Sequence, residues 1–243
     1  MQLPGFGGSI GLTLPELINN EDSRLVYTDT NLKRVKWENL ENGAIRSIWR
    51  QEALAAYELT ARPTADGLAL EWTISNLGSR EWSDAAGNIC MRSHNVPELF
   101  DPSGERVFVR SKTAWLSAKE TWKRPGRNWY LPPGKDVHLL MRPLIGEYQI
   151  SDFRPDEAIV AIRSRDGGWV MAQAWHEARY LIINLLPNYA CTEASPYLGK
   201  VKPGETVRLN GKIYFFRGDL EKLESSYQAD LRNGKIALQR LSR

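Results

Sequence analysis

Apolar and polar residues alternate along two long stretches of the chain. In Gly67–Asn76, Leu68, Leu70, Trp72 and Ile74 share one face, with Glu71, Thr73 and Ser75 opposite; this is the period of a half-buried strand. Thr206–Phe216 repeats it, with Val207, Leu209, Ile213 and Phe215 set against Arg208, Asn210, Lys212 and Tyr214. Shorter runs predict strands over Ala44–Arg50, Leu54–Ala61, Arg106–Arg110, Val137–Arg142, Ala158–Arg163, Gly168–Trp175 and Tyr180–Leu185. Turn signals such as Ala65-Asp66-Gly67, Pro132-Pro133-Gly134 and Lys202-Pro203-Gly204 divide them. Short strands between turns of this kind predict an all-β fold, an antiparallel β-sandwich. Helical spacing is confined to Asp219–Asn233, where Leu220, Leu223, Tyr227 and Leu231 form one stripe. Asp219 can cap that helix and Gly234 suits its left-handed stop. A short helical piece is expected near Leu14–Ile18. No repeat, low-complexity tract or long linker divides the 243 residues, and one domain over 1–243 is expected.

Composition narrows the picture only slightly. The net charge of +3 does not ask for a nucleic-acid partner, and no run approaches the length of a membrane span. The first residues lack the charged-then-apolar order of a leader, although a secreted form with its leader removed would read the same, so the compartment stays open. The unusual count is nine tryptophans. Two cysteines, Cys90 and Cys191, allow one bridge at most.

Several common chemistries lack their motifs. No phosphate loop, nucleophile elbow or Cys-x-x-Cys pair occurs, and His176-Glu177 is followed by Tyr180 where a zinc helix needs histidine. Neither a cofactor nor a metal is expected. On a strand beginning at Tyr189, the side chains of Tyr189, Cys191 and Glu193 point to one face. A carboxyl group beside a buried thiol and a phenol loses hydration, which raises its pKa towards that of a useful base. His94, His138 and His176 are the available imidazoles. Lys119, Lys123, Arg124, Arg127 and Lys135 intersperse Trp115, Trp122, Trp129 and Tyr130 in a segment read as a long loop. Aromatic faces stack on sugar rings, while guanidinium groups bind carboxylates or sulfates. Packing of these tryptophans on the sandwich, with the lysines merely solvated, is the alternative.

Two further segments, taken together, resemble the galactose mutarotase-like superfamily, which includes the aldose 1-epimerases. The first runs from Thr73-Ile74-Ser75-Asn76-Leu77-Gly78 to Ser93-His94-Asn95-Val96-Pro97 and Phe100. The second is Cys191-Thr192-Glu193 followed by Pro203-Gly204-Glu205 and a last long strand. The resemblance covers residues 66–100 and 186–216. It implies a mutarotase-like supersandwich and a mono- or oligosaccharide ligand, with Glu193 as base and His94 as acid or orienting group. His176 is a further catalytic candidate; Trp122, Trp129, Tyr130, Arg127, Trp175 and Arg92 are candidates for holding the sugar. For Glu193 an ion pair with an arginine, and for His94 a loop-tying role, remain open.

Three functions follow from these residues. The first is cofactor-independent acid–base epimerisation or ring opening of a sugar. The second is carbohydrate recognition without turnover. The third is a polysaccharide lyase acting on uronate-containing, anionic glycans, for which Arg154, Arg163 and Arg165 could neutralise the carboxylate. A membrane is not expected as partner, and nucleic acid is disfavoured.

Overall fold

A computed structural model of the chain describes residues 5–21, 23–27, 35, 37–137 and 147–241. Its first strands are β1 (Gly11–Asn19), β2 (Arg24–Tyr27), β3 (Trp37–Asn39), β4 (Ile45–Gln51), β5 (Ala55–Thr64) and β6 (Gly67–Asn76). Then come β7 (Trp82–Arg92), β8 (Val107–Arg110), β9 (Trp115–Ser117), helix α1 (Ala118–Thr121), β10 (Arg127–Tyr130) and β11 (Gln149–Ile150). The last elements are β12 (Ile159–Arg163), β13 (Trp169–Ala174), β14 (Ala178–Leu186), β15 (Tyr189–Val201), β16 (Thr206–Arg217), α2 (Leu220–Arg232) and β17 (Ala237–Leu241).

The strands form two sheets. One has seven strands in the order β11-β10-β14-β15-β7-β1-β2; the other has ten, β3-β4-β5-β6-β16-β13-β12-β8-β9, with β17 also on β16. Among the described pairings only β10–β11 is parallel. The inner faces enclose a common core in which Leu59, Trp72 and Ile74 of the larger sheet meet Ile18, Ile89, Leu181 and Ala194 of the smaller. Trp72 and Trp175 lie 6.4 Å apart within it. Glycines make the space for them. A Cβ on Gly87 of β7 would collide with the six-membered ring of Trp72, and one on Gly211 of β16 with that of Trp175.

The outer face of the larger sheet is closed by α2. Tyr214, Phe216, Ile159 and Val170 pack there with Leu223 and Tyr227 of the helix. Of the polar half of the predicted β16 pattern, Lys212 and Tyr214 are therefore buried too, at 7% and 0% exposed. Asp219 caps the helix by accepting a bond from Lys222 N at 2.8 Å, and Gly234 follows it at φ +68°. Asp219→Ala is expected to lower stability by about 1 kcal/mol, read from the urea midpoint; an unshifted midpoint would remove the cap from the account.

Two expectations need correction. Leu14–Ile18 is strand, not helix, because β7 offers it a ladder: Thr13 pairs with Cys90 and Leu17 with Asn88. Four steps of β1 thus span two of β7, a bulge at Pro15, which has no N–H to give the ladder. The segment 115–135 is not one long loop. Ser117 and Glu120 build a capping box that starts α1, and β10 joins the smaller sheet beside β14. The predicted strand Val137–Arg142, with His138, lies outside the described residues from 138 onward.

Candidate functional site

Alternation along β15 decides which residues face outward. Ala190 and Ala194 enter the core, so Tyr189, Cys191, Glu193 and Ser195 project from the other side of the seven-stranded sheet. On β14 the same logic sends Leu181 and Ile183 inward; Tyr180 and Ile182 instead join a separate cluster with Trp129, Leu131 and Tyr148. This outer face is therefore partly roofed by the chain following β10. Trp129 and Tyr148 stack there, with centroids 4.5 Å apart.

Glu193 is 4% exposed. Asn88 Nδ2 donates to its Oε2, and the Cys191 thiol donates to its Oε1 at 3.4 Å. Asn88 also donates to Glu16 Oε2 at 2.9 Å and accepts from Ser195 Oγ at 2.5 Å. Glu16 reaches this point from the bulge in β1, a placement typical of bulges beside functional sites. Burial pushes the Glu193 carboxyl well above the usual carboxylate range, and Cys191 and Glu16 add to the rise. Burial and the nearby Glu193 charge push the Tyr148 phenol up to about 12. Hydrogen bonding with Cys191 and burial raise the Cys90 thiol. Hydrogen bonding with Cys90 draws Cys191 down to about 7 against its own burial.

His94 is half-buried at the rim. Its ring lies 4.9 Å from that of Tyr189, and its Nδ1 is 3.3 Å from Ala190 O. The Tyr189 hydroxyl in turn lies 3.9 Å from Cys90 Sγ. His94 thus reaches Glu193 through Tyr189 and the cysteines rather than by contact. It also ties its loop to β15, where Ser93 N donates to the same Ala190 carbonyl. No arginine pairs with Glu193 among the described residues.

The other candidates divide by face. Trp129 is on the outer face but only 3% exposed, covered by Tyr148, so its ring is packing rather than a free platform. Arg127 sits 5.4 Å from the Tyr148 ring while pairing with Glu147 at 2.9 Å. Arg92, half-buried, pairs in register with Cys191 and lays its guanidinium against Gly11. Trp122 packs half-buried against the core and covers Gly104. Tyr130 and Trp175, 0% and 1% exposed, are core residues, and from there neither can hold a ligand. His176 is exposed in the turn between β13 and β14. Glu193 pairs with Ile182, four strand residues beyond Ala178, about 13 Å at 3.3 Å per residue; the structure does not bring His176 to Glu193. Arg163 stacks over Phe108 on the other sheet, and Arg154 and Arg165 bond backbone carbonyls. Lys119, Lys123, Arg127 and Lys135 each face a carboxylate of this chain, which leaves little unopposed charge for a polyanion.

Glu16, Asn88 and Asn184 escape sequence reading, since strand pairing across 72 and 105 residues brings Glu16 and Glu193 to Asn88. The one local signal for Glu16 is Pro15 inside a strand.

No family model matches the chain, and no curated protein does. Solved structures similar to it include a galactose mutarotase-like protein from Lactobacillus casei. That likeness has 11% identity and TM-score 0.45, covering 75% of this chain and 73% of the other. A provisionally assigned aldose 1-epimerase from Escherichia coli K12 is similar at 11% identity and TM-score 0.48, over 81% and 73%. A galactose mutarotase related enzyme from Lactobacillus acidophilus is similar at 12% identity and TM-score 0.43, over 75% and 71%.

Proposed function

We propose that the protein carries out cofactor-independent acid–base chemistry on a sugar at the outer face of the seven-stranded sheet. The observation that carries the reading is Glu193: a buried carboxyl group with a raised proton affinity, set among aromatic rings on an outward-facing strand surface. Ring opening requires one group to remove the proton of the anomeric hydroxyl and another to protonate the ring oxygen. Glu193 is the base. His94, linked to it through Tyr189, is the proton source at the rim. The half-buried Tyr148, seated on the buried Trp129, is the aromatic group at this face nearest to where a sugar ring would lie.

The test is the rate of anomer interconversion of simple aldoses, followed by polarimetry or NMR exchange. The native chain is expected to accelerate it, and Glu193→Gln to lose about 10²–10⁴ of that acceleration. An unchanged rate in the variant would overturn the base role. A second reading, sugar recognition without turnover, is favoured by the fact that Asn88 and Cys191 already occupy the Glu193 oxygens. It predicts saturable glycan binding that Tyr148→Ala abolishes, with no turnover in the native chain.

A further inference from the structure

Beside Glu193 lies a feature that the acid–base reading leaves unused. Cys90 Sγ, Cys191 Sγ and a carboxylate oxygen of Glu193 lie within 4.8 Å of one another, all three residues buried. Both thiols are free. A free cysteine commonly serves as a small apolar filler, but these two do not project into the core between the sheets. They sit on the outer face with a carboxyl group, and side-chain amides serve that group. Asn184 Nδ2 donates to Cys191 Sγ at 3.2 Å, and Asn88 Nδ2 donates to Glu193. Amide N–H groups directed at a thiol and a carboxyl stabilise the anionic forms of both. Among the described residues no lysine, arginine or histidine pairs with any member of the cluster, while Glu16 adds another carboxylate beside Asn88.

A divalent cation answers this arrangement. Two sulfurs and one oxygen form a donor set for an ion of the zinc class, whereas calcium and magnesium take oxygen alone. In a tetrahedral site with sulfur at about 2.3 Å and oxygen at about 2.1 Å, neighbouring donor atoms stand about 3.5–3.8 Å apart. Small side-chain rotations bring the three donors to that spacing. Asn184 is 5% exposed, and its Oδ1 has no hydrogen-bond partner among the described residues. That oxygen, or the oxygen of a water whose proton Asn184 Oδ1 accepts, is available for the fourth position.

We propose that Cys90, Cys191 and Glu193 are the protein ligands of a thiophilic divalent cation of the zinc class, bound on the outer face of the seven-stranded sheet. Binding replaces the two thiol protons, together with any proton on the Glu193 carboxyl, with bonds to the ion, and the protons pass to solvent. The proposal does not rest on sugar turnover. If Glu193 is the base described above, the ion takes its lone pairs and inhibits.

The experiment uses the full chain, reduced, treated with chelator and titrated with Co²⁺ in the absence of any sugar. One equivalent is expected to produce thiolate-to-cobalt charge-transfer absorption and visible bands of tetrahedral intensity. About two to three protons should appear per ion, two from the thiols and up to one from Glu193, and Zn²⁺ should abolish the colour. Cys90→Ser and Cys191→Ser are each expected to weaken Co²⁺ binding at least tenfold and to reduce the charge-transfer intensity. Glu193→Gln should retain the sulfur bands at lower affinity. Far-UV circular dichroism verifies that each variant is folded; should either serine variant fail to fold, proton release and Zn²⁺ competition in the native chain carry the decision. Absence of charge transfer in the native chain at excess Co²⁺, or bands unchanged in the folded double serine variant, would overturn the site. Because the readout involves no sugar, a failed turnover assay leaves this result standing, and the reverse also holds.

Discussion

Trp72→Ala is expected to destabilise the protein by about 3–5 kcal/mol, a large part of the 5–15 kcal/mol that holds an ordinary domain folded. The residue is 0% exposed and spans the gap between the sheets, its ring over Gly87 of β7 and 6.4 Å from Trp175. The cost of such a truncation depends on whether neighbours can fill the void. Here they are poorly placed to do so: the opposing residue is a glycine, and Trp175 is itself fixed over Gly211. The indole N–H of Trp72 has no acceptor among the described residues. Trp72→Phe removes that orphaned donor along with part of the ring, so its cost should be well below that of alanine. Urea unfolding followed by far-UV circular dichroism separates the two. An alanine variant within 1 kcal/mol of the parent would mean that the sheets close over the gap, and that the glycine–indole fit is not what sets their spacing.

The same pair shows why some of the fold was legible in the sequence and some was not. β6 and β16 alternate cleanly, and α2 carries its cap, its stripe and its stop, so each is visible locally. β7 is not. Its middle carries Gly87 where Trp72 arrives from the other sheet, and a strand buried on both faces has no alternation to read. The burial of Lys212 and Tyr214 was hidden for a related reason: α2 turns back over a face that the pattern of β16 alone assigns to solvent. Tryptophan count could not separate Trp129, which lies outside, from Trp72 and Trp175, which lie inside; sheet order decides that. In the site, Tyr189, Cys191 and Glu193 share a face because strand geometry requires it. Asn88 and Glu16 join them only through β7 and β1, neither of which is legible as a strand.

Lys212→Met is expected to cost about 3–5 kcal/mol at neutral pH, although it keeps most of the apolar stem. Lys212 Nζ lies 2.7 Å from both Asp66 and Asp230, and Tyr214 donates to Asp230 at 2.9 Å. Asp66 is half-exposed and can recover water, but the Asp230 side chain is only 7% exposed. Removing the ammonium leaves that carboxylate beneath α2 with a phenol and the outlying Lys235, 3.3 Å away. In the native protein burial pulls the Asp230 carboxyl upward, but its bonds to Lys212 and Tyr214 outweigh this and hold it below the usual carboxylate range. A depressed folded value means that the stabilisation is complete above the unfolded pKa of about 3.9 and fades as pH falls through the folded value. In the methionine variant the carboxylate loses its buried ammonium and keeps only Tyr214 and the exposed Lys235, so burial weighs more heavily against its charged form and protonation relieves part of the loss. The stability gap between the two proteins should therefore be widest near pH 7 and narrow as the pH falls below about 4. Asp230→Asn in the Lys212→Met background should recover much of the loss, because an amide keeps a partner for Tyr214 without a buried charge. Denaturant midpoints for the three proteins at pH 7 and pH 3 measure this directly. A gap that stays constant with pH, or a double variant no better than Lys212→Met, would show that the lysine contributes by packing rather than by neutralising Asp230.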